Sequence, residues 1–154
     1  MLIAGIGNIF LGDDGFGPEV ARRYAACPHD PGVRVVDYGI RGMHLAYDLL
    51  EPWDALVLVD ALPRRDTAGR LHVFEPDPVD QAPGLDAHGM DPGTVFASLR
   101  ALGGTLPYTV IVGCEVADVD DGIGLSLPVA EALDAAVELV AAQAHRLACV
   151  GSAG

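Results

Sequence analysis

The chain opens on Met1-Leu2-Ile3-Ala4-Gly5-Ile6-Gly7-Asn8-Ile9-Phe10-Leu11-Gly12-Asp13-Asp14-Gly15-Phe16-Gly17, and this stretch sets the fold. Leu2 to Ile6 is an apolar run too short for a helix, and Gly5, Gly7 and Asn8 punctuate it. It is expected to be a buried strand that breaks into a tight loop. The loop leads to two adjacent carboxylates, Asp13 and Asp14, flanked by Gly12, Gly15 and Gly17. Backbone there can take positive φ, and a ligand or another segment can come close. Pro18 supplies a φ suited to a first helical turn, and Glu19 to Ala26 continues as a helix. Strand, acidic loop, helix is the crevice side of an α/β unit.

A dinucleotide fingerprint would need three glycines, so that the backbone can turn, meet the pyrophosphate and pack helix on strand. Counting from Gly5 and Gly7, the third position is Phe10, and two aspartates stand where a diphosphate would arrive. Those charges repel phosphate unless a metal intervenes. The carboxylate pair suits a cation better than an anion.

Outward from this start, Val33 to Asp37 reads as a second strand, and Met43 to Leu50 spaces Met43, Ala46, Tyr47, Leu49 and Leu50 as a helix. Ala55 to Ala61 is uniformly apolar up to Asp60, as expected for a central parallel strand covered on both faces. Arg70 to Glu75 alternates like a more exposed edge strand. From Pro76 to Gly93 the chain is rich in Pro, Asp and Gly, a long loop that contains His88. A helix from Pro92 or Gly93 to Leu102, with Val95, Phe96, Leu99 and Leu102 facing inward, precedes a fifth strand from Thr109 to Gly113. Ser126 reads as the cap of a closing helix from Leu127 to about Ala148, and 151–154 as a disordered tail. Alternating strands and helices predict one α/β domain over 1–150, a three-layer α/β/α sandwich around a mostly parallel, about five-stranded twisted sheet.

Composition fits that fold and narrows the function. The chain has 154 residues, half of them apolar, enough for one well-cored domain, and no apolar run long enough to span a bilayer. Met1 leads straight into a strand without a basic n-region, so no signal peptide is expected and the cytoplasm is the expected location. Cys27, Cys114 and Cys149 are odd in number and lack a paired C-x-x-C spacing, which reads as buried free thiols. The net charge of -13, with nine arginines and no lysine, disfavours nucleic acid and anionic membrane as partners. Without lysine there is neither a P-loop nor a Schiff base. No G-x-S-x-G elbow occurs, and Ser98, Ser126 and Ser152 lie in helices or the tail, so a serine triad is not expected. Cys114 has no basic or imidazole neighbour in sequence to activate it.

In an open α/β sheet, ligands bind outside the carboxyl ends of the strands near the point where strand order reverses. Asp14 lies in the loop after the first strand, Asp37 ends the second, Asp60 ends the third, and His88 sits in the loop after the fourth. Two carboxylates with an imidazole form a mixed donor set suited to zinc, nickel or a similar divalent ion. Taken singly, Asp13, Asp37 and Asp60 read as caps of a following helix or turn, and His88 as a solvated side chain. Their joint placement favours a site. Glu115 and Asp118 to Asp121 read as a solvated acidic loop, and His29, His44, His72 and His145 as surface or partly buried residues.

The motif from Gly5 to Gly17 closely resembles the opening of the hydrogenase maturation endopeptidases, the proteases that complete nickel-iron hydrogenases. The likeness continues through Val36-Asp37-Tyr38-Gly39-Ile40-Arg41-Gly42-Met43, Val57-Leu58-Val59-Asp60-Ala61, a histidine in the long loop, and Gly122-Ile123-Gly124-Leu125-Ser126. The resemblance implies metal contacts at Asp14, where relatives often carry glutamate, at Asp60 and at His88. Tyr38 and Arg41 depart from the small residues of some members. It further implies cleavage of a C-terminal extension from a nickel-loaded large-subunit precursor, with nickel carried by the substrate; zinc or cadmium could occupy the site in vitro. Asp14, Asp37, Asp60 and His88 are then the expected catalytic set. The alternatives are a non-enzymatic nickel-sensing or chaperone module using the same residues, and a nucleotide-dependent α/β enzyme binding ATP or NAD near Gly5 to Gly17.

Overall fold

The computed structural model describes residues 1–76 and 91–153. Within them, β1 (Leu2–Ile6), β2 (Arg34–Gly39), β3 (Ala55–Leu62), β4 (Leu71–Phe74) and β5 (Tyr108–Glu115) form one sheet in the order β2-β1-β3-β5-β4. β1 pairs parallel with β2 and β3, β3 pairs parallel with β5, and β4 closes one edge antiparallel to β5. The mostly parallel α/β architecture expected from the sequence is therefore present.

Among the described residues, four helices cover the sheet: α1 (Phe16–Ala25), α2 (Gly42–Asp48), α3 (Pro92–Ala101) and α4 (Leu127–Ala153). Side chains alternate across the pleat, so each central strand feeds two cores. Ile3, Val57, Val59, Val110 and Val112 pack with Phe16, Val20 and Tyr24 of α1 and with Val129, Leu133, Ala136, Val140, Ala144 and Leu147 of α4. Leu2, Ala4, Ile6, Leu56, Leu58 and Ile111 pack on the opposite face with Leu45, Ala46 and Leu49 of the α2 region and with Val95, Phe96 and Leu99 of α3. The three layers follow from that alternation.

Boundaries shift modestly. β5 runs from Tyr108 to Glu115 rather than Thr109 to Gly113, because its pairing with β3 continues through Leu62↔Glu115. α4 continues to Ala153, past the expected end near Ala148. In α2, Leu45 and Ala46 turn inward while Met43 and Tyr47, and Leu50 just past the helix, lie about half exposed, at 50, 54 and 46%. Cys114 is buried, but Cys27 and Cys149 are exposed, so the expectation of buried thiols holds for one of the three.

Where Gly5 of β1 meets Gly17 of α1 there is no room for a side chain on either. A Cβ on Gly17 would lie 2.3 Å from the carbonyl oxygen of Ile6 and 2.4 Å from that of Val59, and one on Gly5 would lie 2.3 Å from the carbonyl oxygen of Gly17. The start of α1 thus rests directly on the backbones of β1 and β3. This is why the glycines surrounding the acidic pair cannot be read as turn residues alone. Gly17→Ala is expected to cost about 3 kcal/mol, since backbone must part to admit one methyl group. Urea denaturation measures it, and a loss under about 1 kcal/mol would mean the layers separate more easily than this packing implies.

Candidate active site

The chain leaves β1 and runs out to β2 at one sheet edge, then returns across β1 to β3. The strand order therefore reverses between β1 and β3, and the crevice of an open α/β sheet lies at such a reversal. Asp14 follows β1, Asp60 lies near the carboxyl end of β3, and Asp37 lies near that of β2, opposite Gly5 in register. Asp37 and Asp60 thus lie near the carboxyl ends of β2 and β3, the two neighbours of β1, and Asp14 lies in the 3-10 turn Gly12–Gly15 that follows β1. His88 lies outside the described residues.

The first loop is closed by its own polar groups. Gly7 N–H donates to the Gly39 carbonyl at 3.0 Å, joining the loop after β1 to the end of β2. Asn8 N–H donates to Asp14 Oδ2 at 2.8 Å, and the Asn8 side-chain oxygen accepts from Phe10 N–H at 2.9 Å. The first of these bonds fixes one oxygen of Asp14 toward the start of the loop, and its side chain is half-buried. Asp60 is 7% exposed, and its Oδ1 accepts from Ala61 N–H at 2.8 Å. Asp37 is exposed; its carbonyl accepts from Arg41 Nη2 at 2.9 Å, and Arg41 Nε donates to Tyr38 O at 3.2 Å. An open cleft of about 330 Å³ runs between the two loops, lined by Asn8, Ile9, Phe10, Asp37, Ile40 and Arg41 among others.

Asp13 and Asp14 are neighbours with opposite duties. Asp13 is fully buried within a short 3-10 turn, Gly12–Gly15. Its carboxylate accepts from Ala117 N–H at 2.8 Å, Asp118 N–H at 3.0 Å, Ser126 N–H at 2.7 Å and the Ser126 hydroxyl at 2.8 Å. Burial pushes its pKa up, but the bonds from Ser126, Asp118 and Ala117 outweigh that and hold it below the ordinary aspartate value. Asp13 therefore anchors the loop between β5 and α4 rather than capping a local helix. Ser126, expected as a helix cap, spends its hydroxyl on Asp13.

Glu115 also departs from its expectation as part of a solvated loop. It is 2% exposed, and its Oε1 accepts from Arg65 N–H and Asp66 N–H at 2.7 Å each while Oε2 meets His72 Nε2 at 2.8 Å. The His72 bond first, then those from Asp66 and Arg65, hold its pKa down to about 2. Next to it, burial first and then the charges of Asp13 and Glu115 push the Cys114 thiol up to about 12. Cys114 is thus protonated at neutral pH and is no nucleophile. Asp13 and Glu115 were missed as structural anchors because their partners are remote in sequence, at separations of 104 and 43 residues for the Ala117 and His72 bonds.

Among the described residues, no group of three or more His, Cys, Asp or Glu side chains is spaced to hold a metal ion. Asp14, Asp37 and Asp60 do not by themselves make such a group, although each offers carboxylate oxygens of the hard type that divalent ions accept. No described helix is long and apolar enough to cross a membrane.

A doubly wound α/β domain with aspartates at its carboxyl edge is the class this geometry defines. The family model for hydrogenase maturation proteases matches residues 18–143. The chain belongs to the hydrogenase maturation protease family, a family of hydrolases acting on peptide bonds. It is 31% identical over 147 residues to the hydrogenase expression/formation protein HupD of Bradyrhizobium diazoefficiens, covering 90% of this chain and 74% of that one. It is 30% identical to a putative hydrogenase maturation protease of Methanocaldococcus jannaschii, covering 91% and 93% of the two chains. The hydrogenase maturating endopeptidase HybD of E. coli shares the fold, with a TM-score of 0.81 at 24% identity over 94% of this chain and 91% of that one.

Asp13→Asn would turn an amide N–H toward backbone donors and is expected to cost about 3 kcal/mol in denaturant unfolding. Glu115 has a folded pKa near 2 against an ordinary 4.5, so its contribution is complete above pH 4.5 and is lost as pH falls toward 2. Thermal melts across that window should show a steep loss of stability, and Glu115→Gln should flatten it.

Proposed function

We propose that this protein is an endopeptidase that removes the C-terminal extension of a nickel-iron hydrogenase large-subunit precursor after nickel has been inserted. The observation that carries this reading is membership of the hydrogenase maturation protease family. The arrangement of Asp14 after β1 and Asp60 on β3, either side of the strand-order reversal, is consistent with it. Asp14 and Asp60 supply carboxylate oxygens, and His88 supplies the third contact.

The nickel is cargo of the substrate, and as a Lewis acid it polarises a carbonyl or a water near the scissile bond. The protein's own share is positional. Asn8 orients Asp14, Ala61 N–H fixes one oxygen of Asp60, and the exposed carboxylate of Asp37 assists attack by accepting a proton. Because Asp14 is one methylene shorter than glutamate, the incoming metal must sit closer to the loop backbone. Cleavage then waits for metal loading, since an empty precursor offers Asp14, Asp60 and His88 nothing to hold. The processed partner is soluble precursor, met in the cytoplasm.

Asp14→Asn, Asp60→Asn and His88→Gln are each expected to fold yet lose processing by at least about a hundredfold, the scale of losing a metal contact or its orientation. Mass spectrometry of a nickel-loaded precursor after incubation detects the lost C-terminal peptide. Full cleavage by any of the three variants rejects its role. Binding without any mass loss in the wild type would instead identify a nickel-sensing or chaperone module.

A further inference from the structure

Several large apolar side chains stand in water beside the site. Ile9 is 47% exposed, Phe10 60%, Val119 48% and Ile123 77%. They are not on loosely held chain. Gly12 N–H donates to the Gly122 carbonyl at 2.9 Å and Gly122 N–H to the Phe10 carbonyl at 2.8 Å, so the two loops pair through a short bridge at Leu11 and Gly122. Asp13 N–H donates to the Asp118 carbonyl at 2.8 Å while the Asp13 carboxylate holds Ala117 and Asp118 from the other side. Ile9 and Ile123 also line one groove of about 370 Å³. Together the loops form a rigid prong whose outer side chains contribute nothing to the core of the isolated chain, and exposed apolar clusters of this kind mark interaction sites.

The prong has a charged border. Asp118, Asp120 and Asp121 are all exposed, and Asp118 Oδ1 accepts from Asp120 N–H at 2.8 Å. The charge of Asp118 pushes the Asp120 carboxyl above its ordinary value, so like charges are held together in a way that opposing cations would relieve. The chain's net charge of -13 adds to the same preference.

We propose that Ile9, Phe10, Val119 and Ile123 form a docking prong for the folded body of the substrate protein, which meets it with an apolar patch bordered by arginine or lysine. This rests on the protease reading above. The occupant is the substrate because the prong and Asp14 share one loop: Asp14 N–H donates to the Leu11 carbonyl at 3.0 Å. A body seated on the prong therefore presents its tail at the carboxyl edge. The apolar side chains supply contact area, and the aspartates supply orientation and speed of encounter.

The test uses a purified large-subunit precursor that the wild-type protein cleaves, with kinetics at several salt concentrations. Val119→Ser/Ile123→Ser should raise KM about tenfold at unchanged kcat, the pattern of lost uniform binding, while Ile123→Leu should stay near wild type. Asp120→Asn/Asp121→Asn should slow association about fivefold at low salt and flatten its salt dependence. An unchanged KM in the serine double variant overturns the docking surface and leaves the protease reading standing. Failure of the wild type to cleave any precursor overturns both. A wild-type dimer in sedimentation that the serine variant dissolves assigns the prong to self-association and overturns the proposal.

Discussion

The Asp13 carboxylate is the interaction on which the functional end of the molecule depends. It gathers four donors from three residues that lie more than a hundred positions away in the chain. In a buried, low-dielectric setting each such bond is stronger than in water, and each donor would be left stranded without it. One side chain thereby fixes the loop after β1 to the loop before α4. The position of Asp14, its immediate neighbour, is inherited from that anchorage. Two adjacent aspartates divide the work, one holding the two loops together and the other bonding the start of its own loop through Asn8 N–H.

The glycines do the complementary job on the opposite side of the loop. With no Cβ at Gly5 or Gly17, the first turn of α1 lies against the backbones of β1 and β3. Helix, turn and two strand ends then meet at the place where the chain reverses its order across the sheet. Asp60 enters the same place from β3, nearly buried, with one oxygen tied to the next residue's N–H. The glycine-rich loop thus lets the first turn of α1 pack directly on the strand backbones.

Much of this architecture was legible in the residues. Apolar runs such as Ala55 to Val59 read as central strands because both faces are covered, and the alternation of the two cores bears that out. The placement of Asp14, Asp37 and Asp60 at strand ends was legible too, since it needs only element order and the parallel rule. What the sequence hid depends on contacts between distant segments. Nothing local distinguishes Asp13 from Asp14, and nothing near Glu115 announces the N–H groups of Arg65 and Asp66 that bury it. Helical spacing placed Met43 and Tyr47 in one helix with Ala46 but cannot tell which stripe meets the sheet, and both lie half exposed. Cys27 and Cys149 looked buried on composition alone.

The pairing between residues 10–13 and 117–122 has a consequence for biosynthesis. Contacts of such long sequence separation close late, because the intervening chain must be ordered first. On the ribosome, the amino-terminal strand and its acidic turn emerge early but wait for partners synthesised near the other end. A nascent or truncated copy can therefore display the aspartates without being able to aim them. The two loops lock together only once the late one has been made, so a partly made copy lacks the arrangement that Asp13 holds.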